Sequence, residues 1–202
     1  MADAEDGHDA ADLDDLSAEA FEAAVAPLFE GAPHFLARLA AARPFGTWER
    51  LFTEARRIAR AMPEPEQVEL VDAHPRLGAP PQTVSDFSRR EQGYDRPDDT
   101  QGPDQTARSA SPAAAGPPLS ADEQLARLNE AYEAHYGFRY CTFVDGRPRP
   151  ILAAELADTL AAGPDRAAEL ARAIEAVVDI AEARRAATHA PGGASRTPGG
   201  TV

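Results

Sequence analysis

The sequence predicts an all-α protein: a single-domain helical bundle of about seven to nine helices, with one short extended segment near 139–144. Three observations carry this. Apolar residues recur at helical spacing over most of the chain, and these periods are closed by proline, glycine or capping residues. Only Tyr140-Cys141-Thr142-Phe143-Val144 has strand-like composition. With 202 residues and 43% hydrophobic content, the chain can bury one good core and is too short for two sizeable ones.

Residues 1–15 are rich in Asp, Ala and Glu with almost no large apolar side chain, so they are expected to stay disordered. The domain proper is expected over 16–187. Ser17 caps a first helix carrying Phe21, Val25 and Leu28, and Phe35, Leu36 and Leu39 mark a second that stops before Arg43-Pro44-Phe45. The strongest helix runs from Thr47 to Met62, with Trp48, Leu51, Phe52, Ala55, Ile58 and Ala59 along one face. Pro63 and Pro65 close it and open the next, whose Val68, Leu70 and Val71 lead into His74. A further helix is expected from Thr83 to Gly93. Tyr94 to Pro118 loses all apolar periodicity and reads as a disordered insertion, 94–118. Ser120-Ala121-Asp122-Glu123 is a capping box that starts a helix with Leu125, Leu128 and Tyr132, ended by Gly137. Asp145-Gly146 turns the extended segment back; helical pattern returns from Ile151 to Leu160 and from Asp165 to Ala187, before a loose tail, 188–202.

Composition excludes several functions. The net charge of -14 argues against nucleic acid or an anionic membrane as partner, because phosphate contact needs a basic face. No apolar run is long enough to span a bilayer, and the acidic start does not resemble a basic signal peptide, so the protein reads as cytoplasmic. The single cysteine, Cys141, rules out an intramolecular disulfide and a thiolate-rich metal centre. Every one of the 20 basic residues is arginine, which removes Schiff-base chemistry, a pyridoxal phosphate anchor and a Walker-type phosphate loop. His34, His135 and His189 show no ligand spacing with one another or with His74, so no metal is assigned.

The chemistry-bearing residues cluster in two neighbouring segments, His74-Pro75-Arg76-Leu77-Gly78 and Ser88-Arg89-Arg90-Glu91-Gln92. Histidine can take and give a proton near neutrality, and a carboxylate beside it can orient it or share the proton. Pro75 disfavours helical backbone at His74, so the helix should stop there and leave the imidazole at the end of a rigid element. Ser88 and Glu91 are neighbours on one helix face, either as a hydrogen-bonded core detail or as a pocket wall.

The order of signals resembles the 2-oxo-4-hydroxy-4-carboxy-5-ureidoimidazoline (OHCU) decarboxylase family. It runs through Phe29-Glu30 with Arg43-Pro44-Phe45, His74-Pro75, Ser88-x-x-Glu91-Gln92, and Asn129-x-x-Tyr132 into Tyr136-Gly137-Phe138. The resemblance implies a helical homodimer that converts OHCU to (S)-allantoin and carbon dioxide in urate degradation, without a cofactor. It makes His74 and Glu91 the catalytic pair. It places Pro75, Ser88, Gln92, Phe138, Arg139, Tyr140, Cys141 and Thr142 against the substrate. The chain has Arg139-Tyr140 where the family usually has Pro-Phe, and Thr159 stands before Leu160 where the family has an arginine; Arg139 is the candidate to supply that charge. A diverged member with another small carboxylated substrate, or a non-catalytic dimeric binding module, are the alternatives. Both enzyme readings require His74, Glu91 and residues 138–142 to meet at one cavity.

Overall fold

The computed structural model describes residues 9–94 and 119–188, which form nine α-helices and no strand. The expected insertion after Tyr94, the tail after Thr188 and residues 1–8 lie outside the described residues.

The acidic N-terminal stretch departs from expectation. Asp9 caps a short helix, α1 (Ala10–Asp14), in a reciprocal capping box with Asp12, and Leu13 is buried. The Asp14 carboxylate accepts the backbone amides of Phe45 at 2.9 Å and Gly46 at 2.6 Å. Leu13 and this distant contact order a segment whose composition alone would not.

Ser17 accepts the amide of Ala20 and opens α2 (Ala18–Val25), which buries Phe21 and Val25 and passes into a 3-10 turn at Ala26–Leu28. Helix α3 (Pro33–Ala41) follows, then α4 (Trp48–Ala61), capped by Thr47 and burying the predicted stripe from Leu51 to Ala59. Helix α5 (Glu64–Asp72) ends two residues before His74. Helix α6 (Asp86–Glu91) is shorter than the predicted 83–93. A proline-led 3-10 turn occupies Pro81–Thr83, and Ser85, as cap, delays the first helical residue to Asp86.

The capping box of Ser120 and Glu123 starts α7 (Ala121–Tyr136), and Gly137 ends it at φ 77°, a left-handed conformation that glycine adopts without strain. Residues 139–144, expected as an extended segment, form neither helix nor strand; side chains take their polar groups instead. The Arg139 amide donates to Asp72, and Arg172 and Arg147 donate to the carbonyls of Cys141 and Phe143. Helix α8 (Arg149–Ala162) packs against α7 in the same direction: Arg149 at its start meets Asp122 at the start of α7, and Tyr136 at the end of α7 reaches the Pro164 carbonyl just past the end of α8. The long α9 (Arg166–Thr188) lies against α4, α5 and the Ala26–Leu28 turn, with Leu170, Ile174, Val177 and Ala181 facing the core. That packing brings its last turns beside the ends of α5 and α6. Among the described residues no helix is long and apolar enough to cross a membrane.

Candidate functional site

The site is built around a guanidinium that the sequence reading did not single out. Arg184 falls on the inward stripe of α9, in register with Val177, Ile180 and Ala181, and its side chain is 1% exposed. Its Nε donates to Glu91 Oε1 at 2.7 Å, and Nη1 donates to the carbonyls of Pro27 and Leu28 at 3.1 and 3.3 Å. Nη2 lies 2.9 Å from both Glu91 Oε2 and Glu30 Oε1, and 3.1 Å from Ser88 Oγ. A guanidinium has five N–H bonds, so none is left over.

Glu30 sits in the turn before α3 with φ 55°, a backbone conformation that costs a residue with a Cβ about 1–3 kcal/mol. The same Oε1 that meets Arg184 also accepts the hydroxyls of Ser85 and Ser88, both at 2.7 Å. Burial pushes the Glu30 carboxyl up. The two serine hydroxyls and the Arg184 charge oppose that, and the carboxyl is held below the usual carboxylate range. Ser85 thus caps α6 and anchors Glu30 at once, which fixes the spacing between the turn and the helix.

His74 lies in the core beside this cluster, 4% exposed, and neither Nδ1 nor Nε2 has a hydrogen-bond partner. The Leu70 carbonyl is near the ring without closing a hydrogen bond of ordinary geometry. Burial, reinforced by the Arg184 charge, lowers its pKa to about 4, and only Glu30 opposes with an opposite charge. The imidazole is therefore neutral at physiological pH and has one N–H and one lone pair to offer. A buried polar group with no protein partner is uncommon in folded proteins, and both ring nitrogens of His74 are in that state.

The expected pairing of His74 with Glu91 is not what the structure shows. Glu91 is bound to Arg184, and the carboxylate whose charge acts on the His74 ring is that of Glu30. Ser88 is buried in the cluster, while Gln92 works one step out: its Oε1 accepts the Gly78 amide at 2.9 Å and its Nε2 reaches the Arg76 carbonyl at 3.4 Å. Gln92 thereby ties down the loop that Pro75 begins. Asn129 of α7 holds the same loop from the far side, donating to the Leu77 carbonyl at 2.9 Å.

The segment after Gly137 packs against this loop. Arg139 directs Nη1 to the carbonyls of Asp72 and His74, at 2.7 and 2.9 Å, so it closes the end of α5 and fixes the His74 backbone. The arginine in the cluster comes from α9, and Thr159 on α8 donates its hydroxyl to its own helix at Glu155. Phe138 and Tyr140 are buried, each with its ring edge-on to Tyr132. Cys141 is buried within range of the Arg184 and Glu91 charges, and desolvation pushes its thiol up to about 12. Thr142 lies farther out, in a cleft of about 380 Å³ lined also by Arg147, Arg172 and Asp179.

His74, Glu91 and the 138–142 segment thus adjoin one another through Arg184 and Arg139. Arg184 bonds Glu91, and two surface clefts, of about 400 and 470 Å³, are lined by residues of α3 and α4 instead. Among the described residues no three His, Cys, Asp or Glu side chains are grouped as metal ligands.

The family model described as OHCU decarboxylase matches residues 14–186 of the chain. No curated protein sequence matches it. Among solved structures, the chain is similar to the crystal structure of (S)-allantoin synthase, with 18% identity and a TM-score of 0.56 over 90% of this chain and 54% of that one. It therefore spans about half the length of that protein. It is also similar to the crystal structure of OHCU decarboxylase in the presence of (S)-allantoin, with 20% identity and a TM-score of 0.56 over 80% of this chain and 94% of that one. At these identities the likeness is one of fold.

Proposed function

Because the chain belongs to the OHCU decarboxylase family, we propose that it converts OHCU to (S)-allantoin and carbon dioxide, a carboxy-lyase step of urate degradation that uses no cofactor. The observation supporting this reading best is His74: a neutral, buried imidazole with both nitrogens unclaimed, beside a guanidinium held between two carboxylates.

The substrate supplies its own electron sink. When the bond to its carboxylate breaks, its electron pair goes to the adjacent imine carbon and the imine pair moves onto the ring nitrogen, which takes up a proton. The hydroxyl on the same carbon gives up its proton and becomes the product carbonyl, and the former imine carbon gains a proton on one face. Net, carbon dioxide leaves and one proton is taken up. A neutral imidazole can accept the hydroxyl proton and return one to carbon, which is the role assigned to His74. Arg184 is suited to hold the carboxylate, with Ser88 beside it, and Glu91 shares the proton traffic. Pro75, Gln92 and residues 138–142 shape the walls. The protein is expected to act as a cytoplasmic homodimer.

The test is circular dichroism of freshly generated OHCU. The (S)-allantoin signal should grow faster with the protein than by spontaneous decay; an unaltered rate refutes the reading.

A further inference from the structure

Arg184 presents a difficulty for any anionic substrate, since all its donors already have acceptors. One partner must leave before a substrate carboxylate can bind. The two carboxylates are not equally held. Glu91 is 24% exposed and, among the described residues, makes its hydrogen bonds to Arg184 alone. Glu30 is 12% exposed, is fixed by two serine hydroxyls at 2.7 Å, and sits on a backbone that adopts φ 55° to put it there.

We propose that Glu30 is a positioning residue for the reaction: it is the permanent counter-ion of Arg184, holding the guanidinium and the Ser88 hydroxyl in place while the substrate carboxylate displaces Glu91. The proposal rests on the decarboxylase reading and deepens it. The exchange swaps one carboxylate for another on the outer edge of the guanidinium, so charge is conserved there. It also frees Glu91 when chemistry begins. Without Glu30, Arg184 would keep a carboxylate partner while the substrate is bound but lose it as the bond to carbon dioxide breaks, leaving a buried cation supported by neutral groups, so the loss falls on the chemical step.

The test compares Glu30→Gln and Glu30→Asp with wild type, in the OHCU assay and by NMR titration of the His74 ring. Glu30→Gln should lower kcat about 10²-fold, the size of effect a small misplacement at the site produces, with no rise in KM. A merely structural role would raise KM and lower the melting temperature together. Glu30→Asp keeps the charge but withdraws it by one methylene, and should retain part of kcat. The charged groups acting on the His74 ring are Arg184 from α9 and Glu30 from the turn, so in Glu30→Gln the ring should protonate at lower pH than in the wild type. The proposal is overturned if Glu30→Gln keeps near-wild-type kcat, or if kcat falls only in step with melting temperature while the His74 midpoint stays put. If Glu30→Gln does not fold, an unchanged kcat in Glu30→Asp overturns it equally. A wild type inactive on OHCU refutes the decarboxylase reading instead. The His74 midpoint then decides the role of Glu30 alone, and an unmoved midpoint sinks it.

Discussion

Arg172 and Arg184 stand on the same helix, about 18 Å apart along its axis at about 1.5 Å per residue, and their surroundings are built in opposite ways. Arg172 meets one carboxylate, Glu169, through Nε and Nη2 at 2.7–3.0 Å, and gives Nη1 to the Cys141 carbonyl. Tyr132 completes Glu169 with a hydroxyl at 2.6 Å, and burial together with that hydrogen bond pushes the phenol upward. One cation, one anion and the groups around them are matched. Around Arg184 two carboxylates share one guanidinium, and a neutral histidine with no partner lies beside them. The first cluster has the composition of a staple. The second has a surplus anion and an unclaimed ring, an arrangement a fold keeps only if something else makes use of it.

Substitutions in the two clusters should therefore separate rate from stability. The largest effect is expected for His74→Asn, with kcat lowered about 10²–10⁴-fold as for loss of a general acid or base, and the melting temperature little changed. Turnover of OHCU checks the first and thermal denaturation the second; a variant with near-wild-type rate would remove His74 from the mechanism. Glu91→Gln should come next, losing most of kcat but less stability than Arg172→Met, because Arg184 keeps Glu30. Arg172→Met should show the reverse. It leaves Glu169 buried without a counter-charge, which costs about 3–5 kcal/mol by denaturant unfolding, while kcat of the folded enzyme changes little. Equal losses of rate and stability in both variants would erase the distinction.

The pH dependence of stability is a gentler probe of the same contrast. His74 has a folded-state pKa near 4 against an ordinary 6.5, so the unfolded chain binds the extra proton first. Stability is fully present above about 6.5 and should decline by on the order of a few kcal/mol as pH falls toward 4. The decline should shrink in His74→Asn, and melting curves across that range measure it. Smallest of all, Arg139→Ala should cost about 1 kcal/mol through the two carbonyl contacts at the end of α5.

Local chemistry made much of this molecule readable in advance. The α4 stripe, the Ser120 and Glu123 box and the stop at Gly137 depend on residues within a few positions of one another, and the helices stand where these signals put them. What escaped depends on distant partners. Helix α1 is ordered through amides of Phe45 and Gly46, which nothing in residues 1–15 announces. Glu91 points to an arginine 93 positions away in sequence, a hydrogen bond that its nearness to His74 in the chain does not announce. Phe29-Glu30 was visible as a motif, but its carboxylate acquires meaning only when α6 and α9 close on it. One signal could have found Arg184: a charged residue in register with Val177, Ile180 and Ala181 must be buried, and a buried arginine needs anions.

Cys141 gives the experimenter a gauge of breathing motions at the site. Its thiol is buried and pushed up to about 12, so the native protein should resist maleimides and other alkylating reagents that attack thiolates. Labelling then requires the 138–142 segment to peel away from α5 and α9, and its rate reports how often that happens. Because the chain has no other cysteine, the signal needs no engineered probe and no correction for a second site. A ligand that stiffens the walls around His74 should slow the labelling in proportion to its occupancy.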